Sequence, residues 1–250
     1  MTTQGTWSTR EVALHINVKE LLAVLFGLKS LLKDIHNVNV KLNVDNTTAV
    51  SVIKHMGTSH SDDLNKVAKD IWLWAMHREV WLFPVYISSA DNPADEPSRN
   101  IYVDAEWQLN PAIFAHVVSI LNFVPDIDLF ASRLNTQLEK YVSYHPDPEA
   151  FNTDAFSLSW SHLKFYCFPP FSCISQCLQK ILSEKATGLI IVPQWPTQPF
   201  YPILLRMTVG APVRIPPKVS NLQMPGQPLL LSDISRRTAF LACLVSGTLY

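Results

Sequence analysis

The chain has 250 residues, long enough for one large domain or two small ones. Apolar residues make up 48% and charged residues 16%, a core-forming composition that excludes a disordered chain. The formal net charge of −1 excludes a global basic field, so any nucleic-acid binding has to use a local site.

In chain order, residues 12–16 (VALHI) read as a short strand. Residues 18–32 read as a helix, because Leu21, Leu22, Leu25, Leu28, Leu31 and Leu32 recur at three- and four-residue spacing. The alternating run 38–44 (VNVKLNV) reads as a strand, and Asn46, Thr47 or Thr48 then caps a helix that runs to about Met56. GTSHSDD is a polar loop, followed by a helix over 62–78 and a strand over 79–87. Pro84 removes one ladder donor from that strand and places it at an edge or a bulge. SSADNPADEPSRN is turn chemistry ending in a short helical turn. This order predicts parallel pairing in an α/β layer.

A second unit starts near Trp107, with a helix over 111–122 and strand–turn segments at PDIDLFAS, KFYCFPPF and TGLIIVPQWP. A helix over 172–184 separates the last two of these segments. The stretch from about 206 is proline-rich and ends in the apolar run RTAFLACLVSG, expected as a packed helix or as a cut reading frame. The resulting division is 1–110, 111–205, and a linker and tail over 206–250. The four cysteines, Cys167, Cys173, Cys177 and Cys243, include no CxxC pair and are expected as reduced thiols. No run reaches the roughly 18 apolar residues of a membrane span, and MTTQGTWSTREV lacks a signal core. The expectation is an intracellular protein, cytoplasmic or nuclear, with no membrane partner.

Three acids stand at element ends that an α/β layer could bring together: Glu20 in the first helix, Asp45 ending a strand, and Asp95 opening a short helix. Converging carboxylates raise one another's pKa unless a cation lies between them, and Mg2+ takes such oxygen ligands. Taken singly, Asp45 and Asp95 also read as helix caps and Glu20 as a solvated helix acid.

The words around these acids are HINVKELLAV, LNVDNTTAV and NPADEPSR, the last carrying Asn92, Ala94, Asp95, Ser98 and Arg99. In this order they resemble the ribonuclease H domain of retroelement polyproteins, in particular the DIRS-type (tyrosine-recombinase) retrotransposons, over roughly residues 4–110. The resemblance implies a four-carboxylate site that uses two metal ions, Mg2+ or Mn2+, to cut the RNA strand of an RNA–DNA hybrid. On matching positions Glu20, Asp45 and Asp95 are the catalytic, metal-holding acids. The implied partners are the hybrid and the rest of a reverse transcriptase polyprotein upstream. The family's leading aspartate, on the first strand, has no counterpart: the first Asp is Asp34, and Glu11 is the acid that precedes Glu20. The expected fold is therefore a truncated ribonuclease H-like α/β layer lacking its first strands, with impaired cleavage and an open sheet edge beside 38–44.

PDIDLFASRLNTQLEKYVSY, DAFSLSW, FYCFPPF and LIIVPQWPTQPFYPIL resemble the domain that follows ribonuclease H in the same elements, which is similar to phage-type adenine-N6 DNA methyltransferases. The resemblance assigns S-adenosylmethionine to a second small α/β unit, with Asp128 at the cofactor and Pro169, Pro170 and Phe171 in the turn that grips the target amine. Phe168 stands where that turn needs Asn or Asp, and it cannot accept the amine's hydrogen bonds. This unit is expected to have lost catalysis. Two competing readings are a non-catalytic nucleic-acid-binding remnant and an active DNA adenine methyltransferase. The eight histidines are scattered, GTSHSDD is better explained by capping through Ser59 and Ser61 than by a catalytic triad, and the tryptophans read as core or interface.

Overall fold

The computed structural model describes residues 3–99, 107–224 and 233–248. The side chain of Arg99, together with Asn100, Ala105, Glu106 and residues 225–232 of the proline-rich stretch, lies outside the described residues. The chain is a mixed α/β protein that divides into two compact units, Met1–Val103 with Pro146–Glu149, and Asp104–His145 with Ala150–Tyr250.

In the first unit the expected strand over 12–16 does not form. Ser8 and Glu11 make a reciprocal capping box that nucleates a helical turn, α1 (Thr9–Val12), and the His15 side chain then caps α2 (Ile16–Leu31). Local capping chemistry wins here because no neighbouring strand is offered to Val12–Ile16. Val18, Leu21, Leu25 and Leu28 form the buried stripe of α2, as their spacing predicts. Asn37, in the left-handed region at φ 54°, turns the chain into β1 (Asn39–Val44). Asn46 caps α3 (Thr47–Lys54), and Ser61 caps α4 (Asp62–Met76). The strand β2 (Trp81–Tyr86) pairs with β1 in parallel, in register from Asn39 opposite Trp81 to Val44 opposite Tyr86. A 3-10 turn over Ser89–Asp91 leads to α5 (Asp95–Arg99).

The three longer helices cover one face of this two-stranded sheet, packing with Val44, Val80 and Leu82. Trp72 of α4 donates its indole N–H to the Ile53 carbonyl at 3.1 Å and so closes the end of α3. Trp81 and Ile87 donate to the carbonyls of Val38 and Val44, so the odd-numbered residues of β2 face β1. Pro84 therefore turns its missing donor away from β1, onto the outer edge, and the register runs through it without a bulge. The opposite edge of β1 has no strand partner among the described residues.

The second unit opens with β3 (Gln108–Leu109) and α6 (Pro111–Leu121), followed by β4 (Ile127–Asp128) and the short pair β5 (Val142–Ser143) and β6 (Asn152–Thr153). Next come β7 (Lys164–Cys167), α7 (Ile174–Ser183), β8 (Thr187–Pro193) and α8 (Phe200–Met207). The chain continues through β9 (Val213–Ile215), β10 (Leu222–Gln223) and α9 (Asp233–Arg237) to β11 (Phe240–Ser246). The main sheet has the order β4-β7-β8-β11-β9, and β4, β7 and β8 are parallel. The strand β11 runs antiparallel between β8 and β9. Gly188 in β8 is required for close packing: a Cβ there would lie 2.4 Å from the Phe165 ring.

The expectation for residues 206–250 is overturned. A boundary at 205/206 would cut α8, and the apolar run beginning at Phe240 is an internal sheet strand rather than a helix or a tail. A strand buried on both faces shows no alternation, so the run alone does not separate strand from helix. The cysteines are all free thiols, as expected. Among the described residues no helix is long and apolar enough to cross a membrane.

Candidate metal-binding and cofactor sites

The pair Glu20 and Asp45 is built by α2 and β1. Glu20 sits one turn beyond Asn17 on α2, and Asp45 is the first residue after β1. Asn46 joins the two elements: its Oδ1 accepts from the Ala49 N–H at 2.9 Å, and its Nδ2 donates to Asn17 Oδ1 at 3.0 Å. Both acids are half-buried. Burial, and then the neighbouring Asp45 carboxylate, push the Glu20 carboxyl above its ordinary value, with Lys19 opposing. A second carboxylate this close is tolerated at a cost that a shared cation would remove.

That shift carries a stability consequence. An acid whose folded pKa is raised binds more protons folded than unfolded in the window above its ordinary value. Stability therefore falls as pH rises through that window, and the penalty is complete once the folded group has ionised. Glu20→Gln is expected to raise the melting temperature at about pH 7 and to give no such gain at about pH 3, where both states are protonated. Melting curves of the two proteins at both pH values check this. A loss of stability at the higher pH would show that the charge is compensated.

Asp95 is placed differently. The Asn92 side chain accepts from the Ala94 N–H at 3.1 Å, and the Asp95 N–H donates to the Asn92 carbonyl at 3.1 Å, so this turn sets the start of α5. Asp95 lines a shallow surface depression of about 300 Å³ with Asp91, Asn92 and Glu96. Among the described residues no three His, Cys, Asp or Glu side chains are grouped to hold a metal ion. Glu20 and Asp45 are near enough for their carboxylates to interact, and Asp95 lies at the start of α5. The pair suits one hydrated Mg2+, which commonly binds through one or two carboxylates while keeping several waters.

In the second unit β4, β7 and β8 run the same way. Asp128, the turn Phe168–Phe171 and the turn after Pro193 all leave the sheet at its carboxyl edge, where open α/β sheets bind ligands. Asp128 is 2% exposed, and its two oxygens accept from the backbone N–H groups of Phe130 at 3.3 Å and Gln137 at 3.1 Å. The carboxylate thereby helps to shape its own loop. Burial, and then Asp128 and Cys167, drive the Tyr166 hydroxyl pKa far above its ordinary value, so it remains a neutral phenol. Phe168 packs edge-on against Phe240 at 5.8 Å, inside the core. Pro169 is buried, Pro170 is exposed, and Phe171 meets Trp195 edge-on at 5.1 Å. A target amine finds no side-chain acceptor at Phe168, so these residues do not fit the amine-gripping turn.

Sequence reasoning missed Asn17 and Asn46 as partners. Both lie inside the words HINVKELLAV and LNVDNTTAV, but nothing in either word shows that the amides meet. It also missed an open groove of about 800 Å³ beside α3, lined by Thr48, Ser51, His55 and His60 among others. Of the two serines expected to cap, Ser61 does so, accepting from the Leu64 N–H at 3.3 Å, and Ser59 lines this groove. Compared with family models and with curated proteins, the chain finds no match.

Proposed function

We propose that the first unit is a retroelement-type ribonuclease H-like module that engages RNA–DNA hybrids and whose metal-dependent cleavage of the RNA strand is impaired. The observation that carries this reading is the acid pair. The words that resemble the family, HINVKELLAV and LNVDNTTAV, come from different elements and meet in space, with Glu20 and Asp45 close enough to repel. A parallel β1–β2 pair under three helices, with an acid at the carboxyl end of β1, supports the same reading. When bound, a divalent ion at such a pair activates a water and neutralises phosphate charge. Glu20 and Asp45 would supply its protein oxygens. The partners this implies are the hybrid and an upstream reverse transcriptase, in an intracellular setting.

The second unit fits a methyltransferase-like shell without its chemistry. Phe168 in the core and the engaged oxygens of Asp128 favour loss of transfer, and with it loss of a productive S-adenosylmethionine site. Labelled RNA–DNA hybrid tests the proposal. The expected result is saturable hybrid binding in preference to duplex DNA, with no cutting in Mg2+ or Mn2+ above an Asp45→Asn control. Failure to bind hybrid would overturn the proposal. Metal-dependent cutting that disappears in the control would instead show that these acids suffice for catalysis.

A further inference from the structure

Charge is unevenly placed along this chain. From Arg206 onward there are five basic residues, Arg206, Arg214, Lys218, Arg236 and Arg237, and a single acid, Asp233, although the whole chain has a formal net charge of −1. The fold gathers four of those five cations at one corner of the second unit. The strand β9 ends at Ile215, which stands opposite Phe240, and Phe240 stands opposite Pro193. The end of β9 therefore lies at the carboxyl edge of the main sheet. Arg214 is exposed there, and its Nε donates to Gln194 Oε1 at 3.0 Å. A neutral amide orients the guanidinium and leaves its charge in place. The backbone N–H of Gln194 donates to the Ala239 carbonyl at 2.8 Å, and so ties this corner to the segment that follows Arg237. The helix α9 is held against a 3-10 turn over Val219–Asn221, where the buried Ser235 hydroxyl donates to the Val219 carbonyl at 3.3 Å. Lys218 directly precedes that carbonyl's residue, and Arg236 and Arg237 directly follow Ser235. All three are exposed. Like charges gathered in one place create a local positive potential that a polyanion neutralises.

We propose that Arg214, Lys218, Arg236 and Arg237 form a phosphate-binding surface, at the β9 corner of the second unit, for the backbone of a nucleic acid. Three of the four are arginines, whose planar forks take phosphate oxygens two at a time. Among the described side chains of α9, Ile234 is the large apolar one that is exposed, at 37%, too little to seat the helix in a bilayer. A surface of this kind reads charge rather than base sequence. It lies in the second unit, needs no metal ion, and is independent of the reading of Glu20 and Asp45.

The test is binding of a labelled duplex DNA by the full chain across a range of salt concentrations, beside thermal melting of each variant. The triple variant Arg214→Gln, Lys218→Gln, Arg237→Gln is expected to bind about 10-fold or more weakly at low salt, with an unchanged melting temperature. Its slope of log affinity against log salt should be shallower by about one for each cation removed. The variant Arg214→Lys, Arg237→Lys keeps the charge and should keep most of the affinity. Wild-type affinity and slope in the glutamine variant would overturn the proposal, and so would a lysine variant as weak as the glutamine one. Affinity that falls only in step with melting temperature would make these residues structural and overturn it as well. A wild-type chain that binds phosphatidylserine vesicles and not the duplex would assign the surface to a membrane instead.

Discussion

A chain ending at Arg237 is expected to lose the cooperative folding of the second unit. Such a truncation removes β11, which pairs with β8 along its whole length and with β9 over three residues. Phe240, Leu241, Cys243 and Val245 are each at most 4% exposed. At roughly 2 kcal/mol per buried side chain, their loss forfeits about 8 kcal/mol, comparable with the whole stability of a typical domain. It also strips the hydrogen-bonding edge of β8, a strand with no exposed residue. Near-UV circular dichroism and limited proteolysis of the truncated chain read the outcome. If a protected fragment of the second unit survived with a sharp unfolding transition, the placement of β11 inside the sheet would be wrong.

Trp160→Ala carries the next largest effect. Trp160 is fully buried, with Phe165 at 5.1 Å, Phe156 stacked at 6.0 Å and Phe130 edge-on at 6.4 Å. Its indole N–H donates to the Ala155 carbonyl at 2.8 Å, and its backbone N–H donates to Glu184, which also pairs with Lys180 at 2.6 Å. Truncation opens a large cavity and leaves a buried carbonyl without its donor, a loss of about 3–5 kcal/mol. For a unit of this size that lowers the melting temperature by on the order of 10 °C. Trp160→Phe keeps one six-membered ring, loses the indole N–H and leaves a smaller void, so its loss should be less than that of the alanine variant, about 1–3 kcal/mol. Urea unfolding of the two variants separates the terms. Near-equal losses would mean that the cavity collapses and the hydrogen bond dominates.

The acid pair and the aromatic core place opposite demands on the chain. Trp160 is where shape complementarity stabilises the fold. Glu20 is where partial burial next to a like charge works against the fold near neutral pH. Glu20→Gln should therefore gain stability near neutral pH while losing the oxygen ligand that the metal reading requires. A loss of divalent-ion binding in Glu20→Gln, beside that gain, is the outcome an ordinary helix acid would not give.

The sequence by itself determined the elements whose signals are local. The leucine spacing of α2, the alternation of β1 and the caps Asn46 and Ser61 each follow from signals within a few residues. The resemblance in the words around them marked Glu20, Asp45 and Asp95 as candidate acids. Only the tertiary structure decided the rest. Whether Phe240–Ser246 is a helix, a tail or a strand depends on β8 and β9 offering it two edges, which no local pattern encodes. Whether Val12–Ile16 extends or coils depends on a capping box outcompeting a strand partner that is not offered. The meeting of Asn17 with Asn46 is set by how α2 packs against the end of β1. Those are distances between residues far apart in the chain. Side-chain spacing along a strand or helix carries no information about them until the hydrophobic core has fixed which faces touch.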